Sequence, residues 1–203
     1  VSKYQFNRTF FRDPAIRNTY WAGFLAADGN VALNRNTISI DLAAKDREHL
    51  VQFQRDVKGN FRIEDRDRGN KGIQSRVRID CLAWKSDLRH NYNIIPQKTF
   101  KLQPPTLDHF LSLCFIAGYI DGDGSILENG YIHIVGTQAL LCWIKDQFDL
   151  LFPSDYTNRQ CNVRSVSHSP VSEICIGGHR AKRFGAIIQS CNMPLLKRKW
   201  DRI

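Results

Sequence analysis

Hydrophobic and polar positions along the chain fall into two successive sets of the same kind. In the first, a helix ending at an Asp-Gly pair precedes an alternating run over 31–42 and a helical pattern over 46–57. Two strand-like runs at 61–64 and 74–81 and a helix near 83–92 complete it. In the second, the same kind of helix precedes runs over 125–135, 137–151, 161–167, 171–176 and 179–190. Each set predicts the order α-β-β-α-β-β-α, hence an α+β fold of two pseudo-symmetric halves. The segment 96–106, with Pro104 and Pro105 adjacent, is read as the linker between halves 1–95 and 107–203, because proline breaks helix and sheet alike.

The repeat is visible in the residues themselves. Residues 21–29 read WAGFLAADG and residues 116–124 read IAGYIDGDG, at an offset of 95. Asp13 before Pro14 is a reasonable start for the first repeated helix, with the carboxylate as N-cap, and Asp108 for the second. Within each helix small residues stand four apart on one face, Gly23 with Ala27 and Gly118 with Gly122. A mid-helix glycine costs about 1 kcal/mol relative to alanine, so its presence points to a compensating close approach of two helices.

If these helices pack together, their C-terminal ends bring Asp28 and Asp123 to one place. The carbonyls of Ala27 and Gly122 and the negative ends of two helix dipoles come with them. Such an oxygen-rich, anionic collection suits Mg²⁺, which takes carboxylates and carbonyls, keeps several waters and can activate one for attack on a phosphodiester. One Asp-Gly pair alone would read as a turn; two on helices of the same glycine-rich design favour a site. An EF-hand fails, because Tyr119 and Gly130 would occupy loop positions that need carboxylates. A pair of glycosidase carboxylates has nothing else in the chain to support it. Six cysteines lie singly, with no CxxC pair, and read as small apolar core residues in an intracellular, reducing compartment rather than a zinc site.

WAGFLAADG and IAGYIDGDG resemble the two copies of the motif that defines the LAGLIDADG homing endonucleases, and the doubled plan over nearly the whole chain is similar to their single-chain, monomeric members. The resemblance implies saddle-shaped sheets packed through the two motif helices. It implies a monomeric, intron-encoded endonuclease that makes double-strand breaks across the minor groove of a long DNA site and leaves 3′ overhangs. It places the metal-binding catalytic acid at the eighth motif position, Asp28 and Asp123. Mg²⁺ would be the cofactor, Mn²⁺ would substitute, and Ca²⁺ would support binding without cleavage. The sixth position holds Ala26 in one copy and Asp121 in the other. Basic pocket residues carry over as Lys45, with Gly136 in the corresponding stretch of the second half, and as Lys98, matched by Lys199 or, in a nearby alignment, Lys197. On the same resemblance the alternatives are an intron splicing cofactor that binds RNA and a DNA-binding regulator that does not cleave.

Composition adds a partner. The chain carries a formal charge of +9, and residues 1–105 hold 19 basic and 11 acidic side chains against 10 and 9 in residues 106–203. That excess favours a polyanion, and double-stranded DNA is the first candidate. Gln74, Arg76, Arg78 and Asp80 alternate with Ser75, Val77 and Ile79, so one strand face would be equipped to read bases. Asn34, Arg35, Asn36, Ser39 and Asp41 extend that face, and Arg66, Arg68 and Lys71 lie in a mixed-charge loop suited to the phosphate backbone. The second half offers Tyr131, His133, Asn162, Arg164 and His168. No apolar stretch is long enough to span a membrane, and the N-terminus lacks both the apolar core of a signal peptide and an initiating Met, so the start is read as trimmed or processed.

Overall fold

The computed structural model describes residues 4–151 and 162–203; Cys161 and the side chain of Lys71 lie outside the described residues. The first half runs α1 (Ile16–Ala27), β1 (Gly29–Val31), β2 (Thr37–Ala43), α2 (Arg47–Asp56), β3 (Glu64–Asp67), β4 (Ile73–Asp80) and α3 (Leu82–Tyr92). The second runs α4 (His109–Gly122), β5 (Ser125–Ile126), β6 (Ile132–Gly136), α5 (Gln138–Leu150), β7 (Arg164–Ser165), β8 (Ser172–Ile176) and α6 (Gly178–Ser190). A short helix that the pattern does not predict, α7 (Lys197–Trp200), follows. Each half builds one antiparallel four-stranded sheet with the same order, β1-β2-β4-β3 and β5-β6-β8-β7. Among the described residues no helix is long and apolar enough to cross a membrane.

α1 and α4 form the most extensive helix pairing, and they are buried on nearly all sides, as helices at the centre of a molecule must be. A Cβ placed on Gly23 would stand 1.9 Å from the carbonyl oxygen of Phe115, and one on Gly118 would stand 1.9 Å from that of Tyr20. One on Gly122 would come within 2.3 Å of the Ala27 Cβ. The repeated small residues therefore let the two backbones touch. Asp108 caps α4 as predicted, accepting a hydrogen bond from the Leu111 N–H at 2.8 Å. The expected Asp13–Pro14 start of α1 is corrected: the helix begins at Ile16. Asn18 accepts from the Ala15 N–H at 2.7 Å and donates to the carbonyls of Phe10 and Asp13, so a tertiary clamp on the incoming chain displaces the local cap.

The sheets bury one face each. Val77 and Ile79 of β4 are buried while Arg78 and Asp80 are exposed, the alternation that a sheet covered on one side requires. β3 starts three residues later than the pattern predicts, because Phe61 is a core plug, 1% exposed and stacked near Phe53, instead of a strand residue. Strand register also corrects one equivalence. Asn30 pairs with Ser39 and Ser125 with His133, so Gly136 matches Leu42, and the position matching Lys45 is Ala139. Cys81 and Cys114 are core residues as expected, but Cys142 and Cys175 are exposed, Cys175 because it takes an outward position on β8. Replacing Gly118 with alanine would force the helices apart; we expect a loss of about 3 kcal/mol, measured as a lower denaturant midpoint. An unchanged midpoint would contradict the close packing.

Candidate active site at the paired helix ends

Asp28 is the C-cap of α1 and Asp123 that of α4, their N–H groups bonding to the carbonyls of Phe24 and Tyr119, each at 3.0 Å. The meeting of Ala27 with Gly122, whose added Cβ would also lie 3.2 Å from the Asp28 nitrogen, brings these two ends side by side. Both carboxylates reach solvent. Burial pushes the Asp28 carboxyl up to about 6, with the neighbouring negative charge of Asp123 adding to it and Lys199 and Lys98 opposing it. Burial raises Asp123 as well, against the pull of the same two lysines. Burial is thus the main cause that raises both carboxyls, and the two lysines offset it only in part.

The two lysines, one in the linker after the first half and one near the end of the second, serve corresponding helix ends. Lys98, in a 3₁₀ turn (Lys98–Phe100) after the left-handed Gln97, donates to the Ala27 carbonyl at 2.9 Å. Lys199, in α7, donates to the carbonyls of Ile120, Asp121, Gly122 and Gly124 at 2.8, 2.7, 3.3 and 2.7 Å. Burial lowers the pKa of both, while nearby carboxylates hold them charged. The structure thus selects Lys199 over Lys197, which is exposed. Both carbonyls named as candidate metal ligands, Ala27 and Gly122, already accept an ammonium N–H and keep one further lone pair each. Lys45 is exposed at a 3₁₀ turn (Ala44–Asp46) and borders a cleft of about 520 Å³ with His49 and Arg198.

Comparison with known proteins places this arrangement. No protein-family model and no curated protein matches the chain. Among solved structures, I-DmoI in complex with DNA and Ca is similar, with a TM-score of 0.58 and 15% identity over 95% of this chain and 96% of that one. I-WcaI bound to its DNA recognition sequence gives 0.56 and 16% over 91% and 85%. Full-length DUF199/WhiA from Thermatoga maritima gives 0.54 and 12% over 97% of this chain, which spans only 62% of that protein. This is the LAGLIDADG fold.

Several residues that build the LAGLIDADG helix ends escape motif reading. Asp121, at the sixth motif position, is 2% exposed and accepts from Tyr20 Oη at 2.6 Å, the Leu196 N–H at 3.0 Å and Trp200 Nε1 at 2.8 Å. Burial pushes its carboxyl up to about 6 against these donors. Asp121 therefore anchors the C-terminal segment that delivers Lys199. The only signal in the sequence is paired: Tyr20 with Asp121 across one side, Phe115 with Ala26 at the matching motif positions. Arg198 adds a bidentate bond to Asp46, at 2.7 and 2.6 Å, tying α7 to the first half.

The candidate DNA-reading residues fall on the outer sheet faces and on the loops and tips beside them. Arg76 pairs with Asp41, Thr37 donates to Asp80, and Arg66 pairs with Glu64. Ser39 is corrected in exposure alone: it shares the outer face with Asp41, opposite Arg78, but is only 6% exposed in the middle of the sheet. Asn34, Arg35 and Asn36 are exposed at the β1–β2 tip, which Lys85 holds by donating to the carbonyls of Ala32, Leu33 and Arg35. Gln74 is half-buried on β4 and Arg68 exposed beyond β3. On the second sheet His133 faces Glu173 at 3.2 Å, with Arg164 opposite Glu173 on β7. Tyr131 precedes β6 and lies against Gly177, Asn162 is exposed before β7, and His168 takes a left-handed turn.

The Asp46–Arg198 bridge predicts a pH dependence. Its hydrogen bond to Arg198 holds the Asp46 carboxyl below the usual range, against burial. Its stabilising contribution is therefore present above the unfolded value of about 4 and is lost as the pH falls through the lower folded value. Because Arg198 is substantially exposed, the pair is worth about 0.5–1 kcal/mol. The stability difference between wild type and Asp46→Asn should take that size at pH 6 and disappear in strong acid, as read from denaturant titrations. A difference constant with pH would remove the bridge from the account.

Proposed function

We propose that this chain is a site-specific homing endonuclease that hydrolyses one phosphodiester in each strand of a long DNA target, across the minor groove, leaving 3′ overhangs. One observation carries the reading: Asp28 and Asp123 stand together at adjoining helix ends, with a buried lysine beside each end. Fold alone does not carry it, because DUF199/WhiA has the same fold and is not named as a nuclease.

The donor set fits a hard divalent ion. Both side chains are carboxylates whose proton affinity is raised by burial, with the charge of Asp123 adding to it at Asp28, and carboxylate oxygens are hard donors. Asp28 and Asp123 would hold Mg²⁺, or Mn²⁺ in its place, with substrate oxygens and water completing the shell; Ca²⁺ would support binding. I-DmoI is known in complex with DNA and Ca and with DNA and Mn. When bound, such an ion supplies Lewis acidity at the phosphate and lowers the pKa of water. The chain itself supplies the rest. Lys98 offers N–H groups to the anionic transition state, and Lys199 fixes the end of α4 so that Asp123 keeps its place. The sheets' outer faces orient the duplex, through Arg78 and the Asp41-held Arg76 on one side and His133 on the other. We read the active form as a monomer, since one chain holds both motif helices, in a reducing intracellular compartment.

Asp28→Asn and Asp123→Asn keep the side-chain shape and remove one negative charge. Double-strand cleavage of a plasmid carrying a target selected from a randomised library should fall by about 10³-fold. Affinity for the same duplex in Ca²⁺, measured by fluorescence anisotropy, should stay within about threefold. Cleavage at the wild-type rate in either variant would overturn the mechanism. Wild-type binding without cleavage would favour the non-cleaving regulator.

A further inference from the structure

The two halves share a plan but do not equip the two sides of the site alike. At the fourth motif position α1 carries Phe24, fully buried, and α4 carries Tyr119. At the matched end of the middle strand, β2 carries Leu42 and β6 carries Gly136. These differences are coupled: a Cβ at position 136 would lie 3.0 Å from the Tyr119 hydroxyl, so glycine leaves room for the phenol. Tyr119 donates to the Val135 carbonyl at 3.1 Å and lines a cavity of about 350 Å³ with Ala27, Lys98, Asp123 and Gly136. Burial, then the charges of Asp123 and Asp28, keep this phenol protonated at any working pH, so its oxygen acts as a neutral hydrogen-bonding group.

The lysines differ in the same direction. Among the described residues Lys98 uses one hydrogen bond, to Ala27, and so keeps two of its three N–H donors for the cavity it lines. Lys199 spreads three donors over four carbonyls and has none left for a phosphate. On the Lys199 side the remaining candidate donor is Lys45, exposed and, among the described residues, held by no hydrogen bond or ion pair, which would lose rotamer freedom when it engaged a substrate. A fixed donor set costs less at the moment of reaction than one that must be ordered.

We infer that the two DNA strands are cut at unequal rates, and that the pocket of Lys98, Tyr119 and Asp123 serves the faster cut, with Tyr119 as a positioning residue. The inference rests on the endonuclease reading. In each cut, a water oxygen bonds to phosphorus as the bond to the leaving sugar oxygen breaks, and the water proton ends on that oxygen; no oxidant or reductant is involved. Lys98 would hold a non-bridging oxygen, and the Tyr119 oxygen would accept a hydrogen bond from Lys98 or from the attacking water.

The test uses the full chain, Mg²⁺, and the selected duplex labelled separately on each strand, with supercoiled plasmid in parallel. In wild type, nicked circle should accumulate before linear product, and the strand rates should differ by about fivefold or more. Tyr119→Phe and Lys98→Met should slow the faster strand by about tenfold and leave the other within about twofold, with the affinity of Tyr119→Phe in Ca²⁺ within about threefold of wild type. Gly136→Ala should slow the same strand. In the metal-free protein, the thermal midpoints of Gly136→Ala, Tyr119→Phe and the double variant should be non-additive, because the two substitutions act on one contact. Equal strand rates in wild type, equal slowing of both strands by Tyr119→Phe, or additive midpoints would overturn the inference while leaving the nuclease reading intact. Absence of cleavage by wild type on a duplex it binds would overturn both.

Discussion

The contact of α1 with α4 at the level of backbone atoms is the constraint from which the site follows. A side chain at Gly23 or Gly118 would occupy the carbonyl of the facing helix, so both positions must be bare for the helices to meet. Their meeting aligns two C-terminal ends that electrostatics alone would separate, since each carries a carboxylate and the negative end of a dipole. Burial and dispersion along the helix faces hold together charges that repel; burial first, and the charge of Asp123 second, raise the proton affinity of Asp28. On the proposed reading, a divalent cation would stabilise a site in this state, and a packing solution would become a chemical one.

Two buried lysines keep the arrangement from relaxing. The last carbonyls of a helix have no intrahelical partner, and in this protein Lys98 and Lys199 satisfy them from outside the helices. Each arrives on a segment that follows its own half, so the chain after each repeat returns to lock the helix that began it. The second return is the more heavily anchored. Asp121 receives Tyr20, the Leu196 backbone and Trp200, and Arg198 grips Asp46 on the far half. The C-terminal segment thereby bonds to both halves, and the symmetry of the plan is broken where the tail closes.

The duplication, the element order and the shared helix face could be read from the sequence because they depend on local periodicity and on glycine, whose use is restricted. So could the outward row of β4, where strict alternation over seven residues admits one register. What escaped depends on contacts distant in the chain. Asp13 and Pro14 look like a helix start, but Asn18 bonds back to Phe10 and Asp13 and moves the start to Ile16. Phe61 resembles a strand residue and is a core plug. Lys199 and Lys197 are indistinguishable by alignment, and the four carbonyls that separate them lie about 75 to 79 residues away. The equivalence of Gly136 and Leu42 required the pairing register, which no pattern within a single strand contains.

The charge of the first half also takes on a different meaning once its partners are known. A net excess of basic side chains gives affinity for any polyanion, yet on the outer sheet face Arg76 is held by Asp41 and Arg66 by Glu64. Those carboxylates reduce the attraction to phosphate and fix guanidinium planes that would otherwise sample many rotamers. An arginine fixed in this way loses little further entropy when it meets the edge of a guanine, and it repels a misplaced phosphate through its acidic partner. On the proposed reading, the same acids that weaken general affinity would sharpen the choice of sequence. On the second sheet, His133 beside Glu173 does this with less charge. A face built of paired ions is suited to discrimination, and on that reading exposed basic side chains at the tips, such as Arg35, would supply attraction.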